Sequence, residues 1–360
     1  MGKTIYVLHE RSTKEHFIAL EHYACKNNIT IKYREFLILR YITKSILKLD
    51  FKLFVQQIKN FLFFLTALFS SKRKIIIGIA PLDFYLPFIL LFFQRHNLFY
   101  FTSWGDWSGN FFPKKKFSHL SYIKKTWQYF LEKKVKGIFC VTSFAKQNMQ
   151  QNFKISCPIV VVSHAVNNQV KFKKIEKSII DNNKINLVYA GRLLESKGIR
   201  ELIYLMNKLD QDKYSLKIIG NGPLRKLVEQ AAKSQKNIQY LGYVSSKEQL
   251  FNIYANCDLQ LLFSKKNKTS TWEELFGMVI IEALYCGVIT VATGHVGPKS
   301  IINDGIDGFL INEDHIIEET MAILESNLFL GKEELAKNKA KQFYKSNLSK
   351  KWEEILINFI

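Results

Sequence analysis

INLVYAGRLLESKG, Ile185 to Gly198, is a short run of strand-forming residues that ends on a glycine and turns into a cationic loop. A glycine at a strand end lets the backbone turn without a Cβ penalty, and Arg192 with Lys197 would project two cations above the sheet's carboxyl edge. That placement suits a diphosphate, although the segment alone also reads as a solvated loop with ordinary surface charges. Downstream the same pattern recurs in SLKIIG (Ser215 to Gly220), IQYLG (Ile238 to Gly242), DLQLLF (Asp258 to Phe263) and VITVAT (Val288 to Thr293). Upstream it recurs in TIYVL (Thr4 to Leu8), KIIIGIA (Lys74 to Ala80), LFYFT (Leu98 to Thr102), GIFCVT (Gly137 to Thr142) and PIVVVS (Pro158 to Ser163). Segments with helical spacing separate the runs, and SSKEQLFNIYA opens one of them with Ser245 and Glu248 at capping-box spacing. Unbroken apolar strands interleaved with helices imply parallel sheets covered on both faces.

The expected fold is therefore α/β, with two Rossmann-like doubly wound domains facing a cleft. Residues 1–170 form the first domain, 171–184 a polar linker, and 185–335 the second. A last helix over 336–360 is expected to cross back to the first. A chain of 360 residues exceeds what one core usually organises, and 48% hydrophobic content excludes a largely disordered chain. Open sheets of this kind bind ligands beyond the carboxyl ends of their strands.

The formal charge of +21 is unevenly spread. Residues 1–170 hold 25 Lys+Arg against 8 Asp+Glu, whereas the remainder holds 27 against 23. Such a field attracts a polyanion: nucleic acid, an anionic membrane leaflet or a phosphorylated substrate. NFLFFLTALFSSKRK (Asn60 to Lys74) and PLDFYLPFILLFFQR (Pro81 to Arg95) place apolar stretches beside that charge. Neither supplies the ~20 continuous apolar residues of a spanning helix, so each is a core helix or one lying at a membrane interface. No reading module for nucleic acid is visible, and nucleic acid is not expected as the partner. Five scattered cysteines without CxxC spacing read as reduced thiols, and the N-terminus lacks a signal peptide's apolar run, so a cytoplasmic protein on the inner membrane face is expected.

Two more elements carry chemistry. GNGP places Gly220 at a strand end. WEELFGMVIIEAL (Trp272 to Leu284) puts Glu274 at the mouth of a helix whose first turn offers free backbone N–H groups. Glu282, eight residues later inside an apolar helix, needs a partner. From Leu187 to Leu310 the chain reads GRL…KG, GNGP, YLGYV, DLQLLFS, E-LFG-E, ITVAT and DGIDGFL. This order resembles the retaining glycosyltransferases of family 4, which have the GT-B fold, over about one third of the chain.

The resemblance implies that Arg192 and Lys197 grip the pyrophosphate of a UDP- or GDP-sugar, with the backbone at Gly191, Gly220, Phe276, Gly277 and Met278 beside it. It implies that Glu282 holds the ribose and that Glu274 lies by the transferring sugar. Transfer would be retaining and need neither metal nor cofactor, with a saccharide or lipid-linked acceptor in capsule or lipopolysaccharide assembly. The first half departs from the pattern: HERSTKEH stands where many members have a Gly-Gly loop, and TSWGDW where many have a histidine. Acceptor-side candidates are Arg11, Lys14, Trp104 and Asp106, since each follows a strand. Ser300 stands near a customary glutamate. A GT-B epimerase, a basic nucleic-acid-binding protein and a non-catalytic sugar-binding protein are the alternatives.

Overall fold

The computed structural model describes residues 3–10, 14–110, 116–174, 184–266 and 272–359. Two compact units divide it, one comprising residues 1–165 with 345–360 and the other residues 166–344.

The first unit is built on β1 (Thr4–His9), β2 (Thr30–Glu35), β3 (Lys74–Gly78), β4 (Asn97–Thr102), β5 (Val135–Cys140) and β6 (Ile159–Val161). They form one sheet in the order β2-β1-β3-β4-β5-β6, and every pairing is parallel. The sequence reading omitted β2, because TIKYRE is an edge strand with exposed polar positions rather than an apolar run. Aromatic residues fill the core: Tyr100, Trp107, Trp127 and Phe130 meet edge to face, with centroids 5.6–5.9 Å apart. The helix Lys345–Leu356 belongs to this unit because Trp352 is buried against Phe139 and Phe101.

The second unit carries β7 (Ile185–Ala190), β8 (Tyr214–Ile219), β9 (Ile238–Gly242), β10 (Leu259–Leu262), β11 (Ile289–Thr293) and β12 (Phe309–Ile311). Their order is β12-β11-β10-β7-β8-β9, again parallel throughout. Here β12 was omitted, since three residues at the end of DGIDGFLI (Asp304 to Ile311) give too short a signal. The chain runs outward from β7 to β9, then returns to the other side of β7 as β10. Strand order thus reverses between β7 and β10, which is where open sheets of this kind open a crevice.

Two local expectations change. The helix Lys247–Ala255 is capped by Ser246, whose hydroxyl accepts from the Gln249 N–H at 3.3 Å; Ser245 stands one residue too early. The polar stretch read as the start of the linker is docked on the second unit through residue 174. Phe172 packs on Tyr285, the Tyr285 hydroxyl donates to the carbonyls of Asn168 and Val170, and Lys173 N–H donates to Asn252. The rest of that stretch, 175–183, lies outside the described residues.

Candidate functional site

The turn after β7 and the loop after β10 meet at the point of reversal. Gly220 is pressed against the first of these turns, where a Cβ on it would lie 1.8 Å from the Gly191 carbonyl oxygen, so no side chain fits. Arg192 is exposed, and among the described residues its guanidinium forms no ion pair. Lys197 turns inward and pairs with Glu274 Oε2, which also accepts from the Ser264 hydroxyl at 3.0 Å. The Lys197 ammonium lies 4.8 Å from the centre of the Trp272 ring. A cation from the β7 turn, a hydroxyl from the end of β10 and the Glu274 carboxylate thus converge on one spot.

Glu274 is held by its backbone as well. Its N–H donates to His295 Nδ1 at 3.1 Å, and its carbonyl accepts from the Gly297 N–H at 2.9 Å. Any Cβ at Gly297 would strike the Phe276 backbone at 2.4 Å, so the start of the helix Val296–Ile301 can clamp the LFG segment only with glycine there. Because Nδ1 of His295 accepts, the proton of the neutral ring sits on Nε2, 3.3 Å from Glu313 Oε2. Burial pushes the pKa of His295 down and keeps that ring neutral.

Phe276 is buried, and Gly277 precedes the helix Met278–Tyr285 without a side-chain cap, its carbonyl accepting from the Ile280 N–H at 2.9 Å. Within that helix Glu282 is buried and pairs with Lys247 Nζ at 2.5 Å. Gly191, Arg192, Lys197, Gly220, Glu274, Phe276, Gly277 and Met278 therefore come from the turns and helix start beyond the carboxyl ends of β7, β8 and β10. Glu282 lies one layer deeper.

Ser264, Trp272, His295 and Lys247 were missed. A signal existed for two of them. His295 directly follows a strand and a glycine, and Lys247 is a cation at a helix N-terminus, where the dipole disfavours it unless an anion is near.

In the first unit Arg11 lies outside the described residues. Lys14 follows β1 and its ammonium lies 5.8 Å from the Tyr33 ring centre. Trp104 and Asp106 follow β4 in a turn that closes on itself: Trp104 N–H donates to Thr102 Oγ1, and Asp106 Oδ1 accepts from Ser108 N–H and Oγ. Histidines do stand at this carboxyl edge, although none follows β4. His9 ends β1 against Gly78, and the His16 ring lies tilted by 40° with its centre 4.5 Å from that of His164, which follows β6.

Burial pushes His164 down to about 3 from its ordinary 6.5. An unfolded chain takes up that proton below pH 6.5 while the folded one does not, so stability should fall as pH drops from 6.5 toward 3, by about 1.4 kcal/mol per pH unit. Urea unfolding at pH 7 and pH 5 checks this, and His164→Gln should flatten the slope. An equal slope in the variant would remove His164 as its source.

Comparison with known proteins agrees with this geometry. Residues 170–345, nearly the whole of the second unit, match the family model described as glycosyl transferases group 1. An uncharacterized 41.2 kDa protein in the cps region of Klebsiella pneumoniae is 31% identical over 142 residues, 39% of this chain and 37% of that protein. An uncharacterized glycosyltransferase of Methanocaldococcus jannaschii is 24% identical over 222 residues, 61% of this chain and 57% of that one. The matched region thus spans between about a third and three fifths of these curated relatives. The crystal structure of HepE from Anabaena, in complex with UDP and glucose, superposes over 99% of this chain and 100% of that one, with a TM-score of 0.67 at 15% identity. The fold is GT-B, as the motif resemblance implied, and its two parallel sheets are those that the strand alternation implied.

Proposed function

We propose that the protein is a retaining, metal-independent glycosyltransferase that moves a sugar from a UDP-sugar to a hydroxyl of a saccharide. The observation that carries this reading is the convergence of Lys197, Ser264, Trp272 and Glu274 at the switch point, beside the start of the helix Met278–Tyr285, which has no side-chain cap. In the reaction the bond from the anomeric carbon to the diphosphate oxygen breaks and a bond from the acceptor oxygen forms on the same face. The acceptor's proton passes to the leaving phosphate. Arg192 and Lys197 stabilise the charge that develops on that phosphate, and Glu274 orients the sugar. Glu282 reaches the ribose. The uridine preference is supported by the UDP held in the HepE structure.

The acceptor is assigned to the first unit, as a lipid-linked saccharide in capsule or lipopolysaccharide assembly at the cytoplasmic face of the membrane. The relative from the Klebsiella cps region supports this setting.

Arg192→Ala tests the donor site, since it removes one charge-assisted contact worth about 1.5–3 kcal/mol. UDP affinity should fall by roughly 10- to 150-fold, read by calorimetry, with the fold unchanged because Arg192 is exposed. Unaltered affinity would sink the phosphate assignment. Release of free UDP only when acceptor is present distinguishes transfer from epimerisation or silent sugar binding.

A further inference from the structure

The helix Phe51–Phe69 points its amides inward and its hydrocarbon outward. Gln57 and Asn60 are fully buried, Gln57 donating to Glu35 at 2.8 Å and Asn60 to Gln57 at 3.1 Å. On the opposite side Ile58, Phe61, Leu62, Leu65 and Phe69 recur at three- and four-residue intervals as one exposed stripe. A helix apolar all round belongs in a core or a lipid phase, and this side has no core against it.

The turn before the helix extends the stripe. Leu47, Leu49 and Phe51 are 85%, 92% and 77% exposed, and Leu49 holds a left-handed backbone (φ 52°) in which a bare leucine is unusual. Beside the stripe the helix Tyr85–Phe93 adds exposed Phe88 and Leu91, with Phe88 stacked on Phe64 at 5.9 Å. So large an exposed apolar face marks an interaction site.

Charge decides what covers it. Residues 36–82 contain eight Lys/Arg and a single Asp, and Arg40, Lys44, Lys48, Lys52 and Lys59 are all exposed around the stripe. The one acid, Asp50, is used as the helix N-cap, accepting from the Leu53 N–H at 2.9 Å. A second copy of this face would bring like charges together, and a nucleic acid offers no apolar phase for the leucines. An anionic bilayer supplies both complements at once: phosphates for the cations and acyl chains for the stripe. Among the described residues no helix is long and apolar enough to cross a membrane.

We infer that this face is the docking surface for an anionic lipid bilayer, with Leu47, Leu49 and Phe51 entering the headgroup–acyl boundary and the lysines around them meeting lipid phosphate. The inference gives the membrane setting proposed above a defined surface, and it does not depend on the transfer chemistry.

The test uses the whole chain and co-sedimentation with vesicles of phosphatidylcholine, with or without phosphatidylglycerol. Binding is expected only when phosphatidylglycerol is present, and it should weaken from 0.1 M to 1 M salt as the Debye length shrinks from ~10 Å to ~3 Å. Leu47→Ser, Leu49→Ser and Phe51→Ser combined should lower vesicle binding at least ~10-fold, since hydrocarbon burial contributes to interfacial binding. Lys44→Glu, Lys48→Glu and Lys52→Glu combined should abolish the salt-sensitive part. Both variants should keep the parent's urea midpoint and UDP affinity, because the changed side chains are exposed.

Undiminished vesicle binding in the triple serine variant would overturn the assignment. So would a dimer that the same variant dissociates without any vesicle binding, which gives the face to a second copy, or tight salt-sensitive RNA binding in place of vesicle binding. Loss of UDP binding with vesicle binding intact would count against the donor site alone.

Discussion

Glu274→Gln is expected to reduce sugar transfer by at least ~100-fold while the protein stays folded, with the loss in kcat. The amide keeps the shape of the side chain and can still accept from the Ser264 hydroxyl, so the hydrogen bond at 3.0 Å survives. What disappears is the negative charge that faces Lys197. Without a donor the two side chains neutralise one another in a pocket where each is only about 15% exposed. In the proposed reaction an arriving diphosphate gives Lys197 a second anion and leaves Glu274 to the sugar.

The two residues should therefore act as a coupled pair. A cycle of Glu274→Gln, Lys197→Ala and the double variant, measured as kcat/KM, should show a coupling of about 0.5–3 kcal/mol rather than additive losses. Transfer by Glu274→Gln near the parent rate would take Glu274 out of the reacting centre. Additivity within ~0.3 kcal/mol would show that the ion pair has no part in the reaction.

The second large effect concerns stability. Lys247→Met should lower the unfolding free energy by about 3 kcal/mol, because it takes the Lys247 ammonium away from the buried Glu282 carboxylate. The figure is taken at the low end for a broken buried pair, since Lys247 is itself 37% exposed and water can reach part of the gap. Adding Glu282→Met should restore most of the loss, as two apolar side chains replace two charges of similar volume. The double variant should nonetheless bind UDP more weakly, since in the proposed donor site Glu282 is the residue that holds the ribose. Urea unfolding and calorimetry on both variants separate the two effects. Lys247→Met at parental stability would mean that solvent, rather than Lys247, satisfies Glu282.

The sequence by itself determined the alternation of strands and helices, the two-sheet α/β class and the position of the glycine turns after β7 and β8. These properties are local. An unbroken apolar run such as INLVYA or ITVAT is buried on both faces in a parallel sheet, and the glycines after β7 and β8 mark where the backbone must turn tightly. The charge imbalance between the halves is likewise a property of composition.

The strands β2 and β12 were not legible, since an edge strand with polar alternation and a three-residue strand bury too little to leave an apolar signature. Nor could the sequence pair Lys197 with Glu274, 77 residues apart, or Lys247 with Glu282, 35 residues apart. The first contact exists because β10 returns beside β7 and brings the loops at their carboxyl ends together, and the second because the helices Lys247–Ala255 and Met278–Tyr285 pack on one another. The outward hydrocarbon of the helix Phe51–Phe69 was equally hidden. Periodicity shows that a helix is apolar on both sides, but only the packed structure decides which side meets the core, and here Gln57 and Asn60 are turned inward to satisfy Glu35.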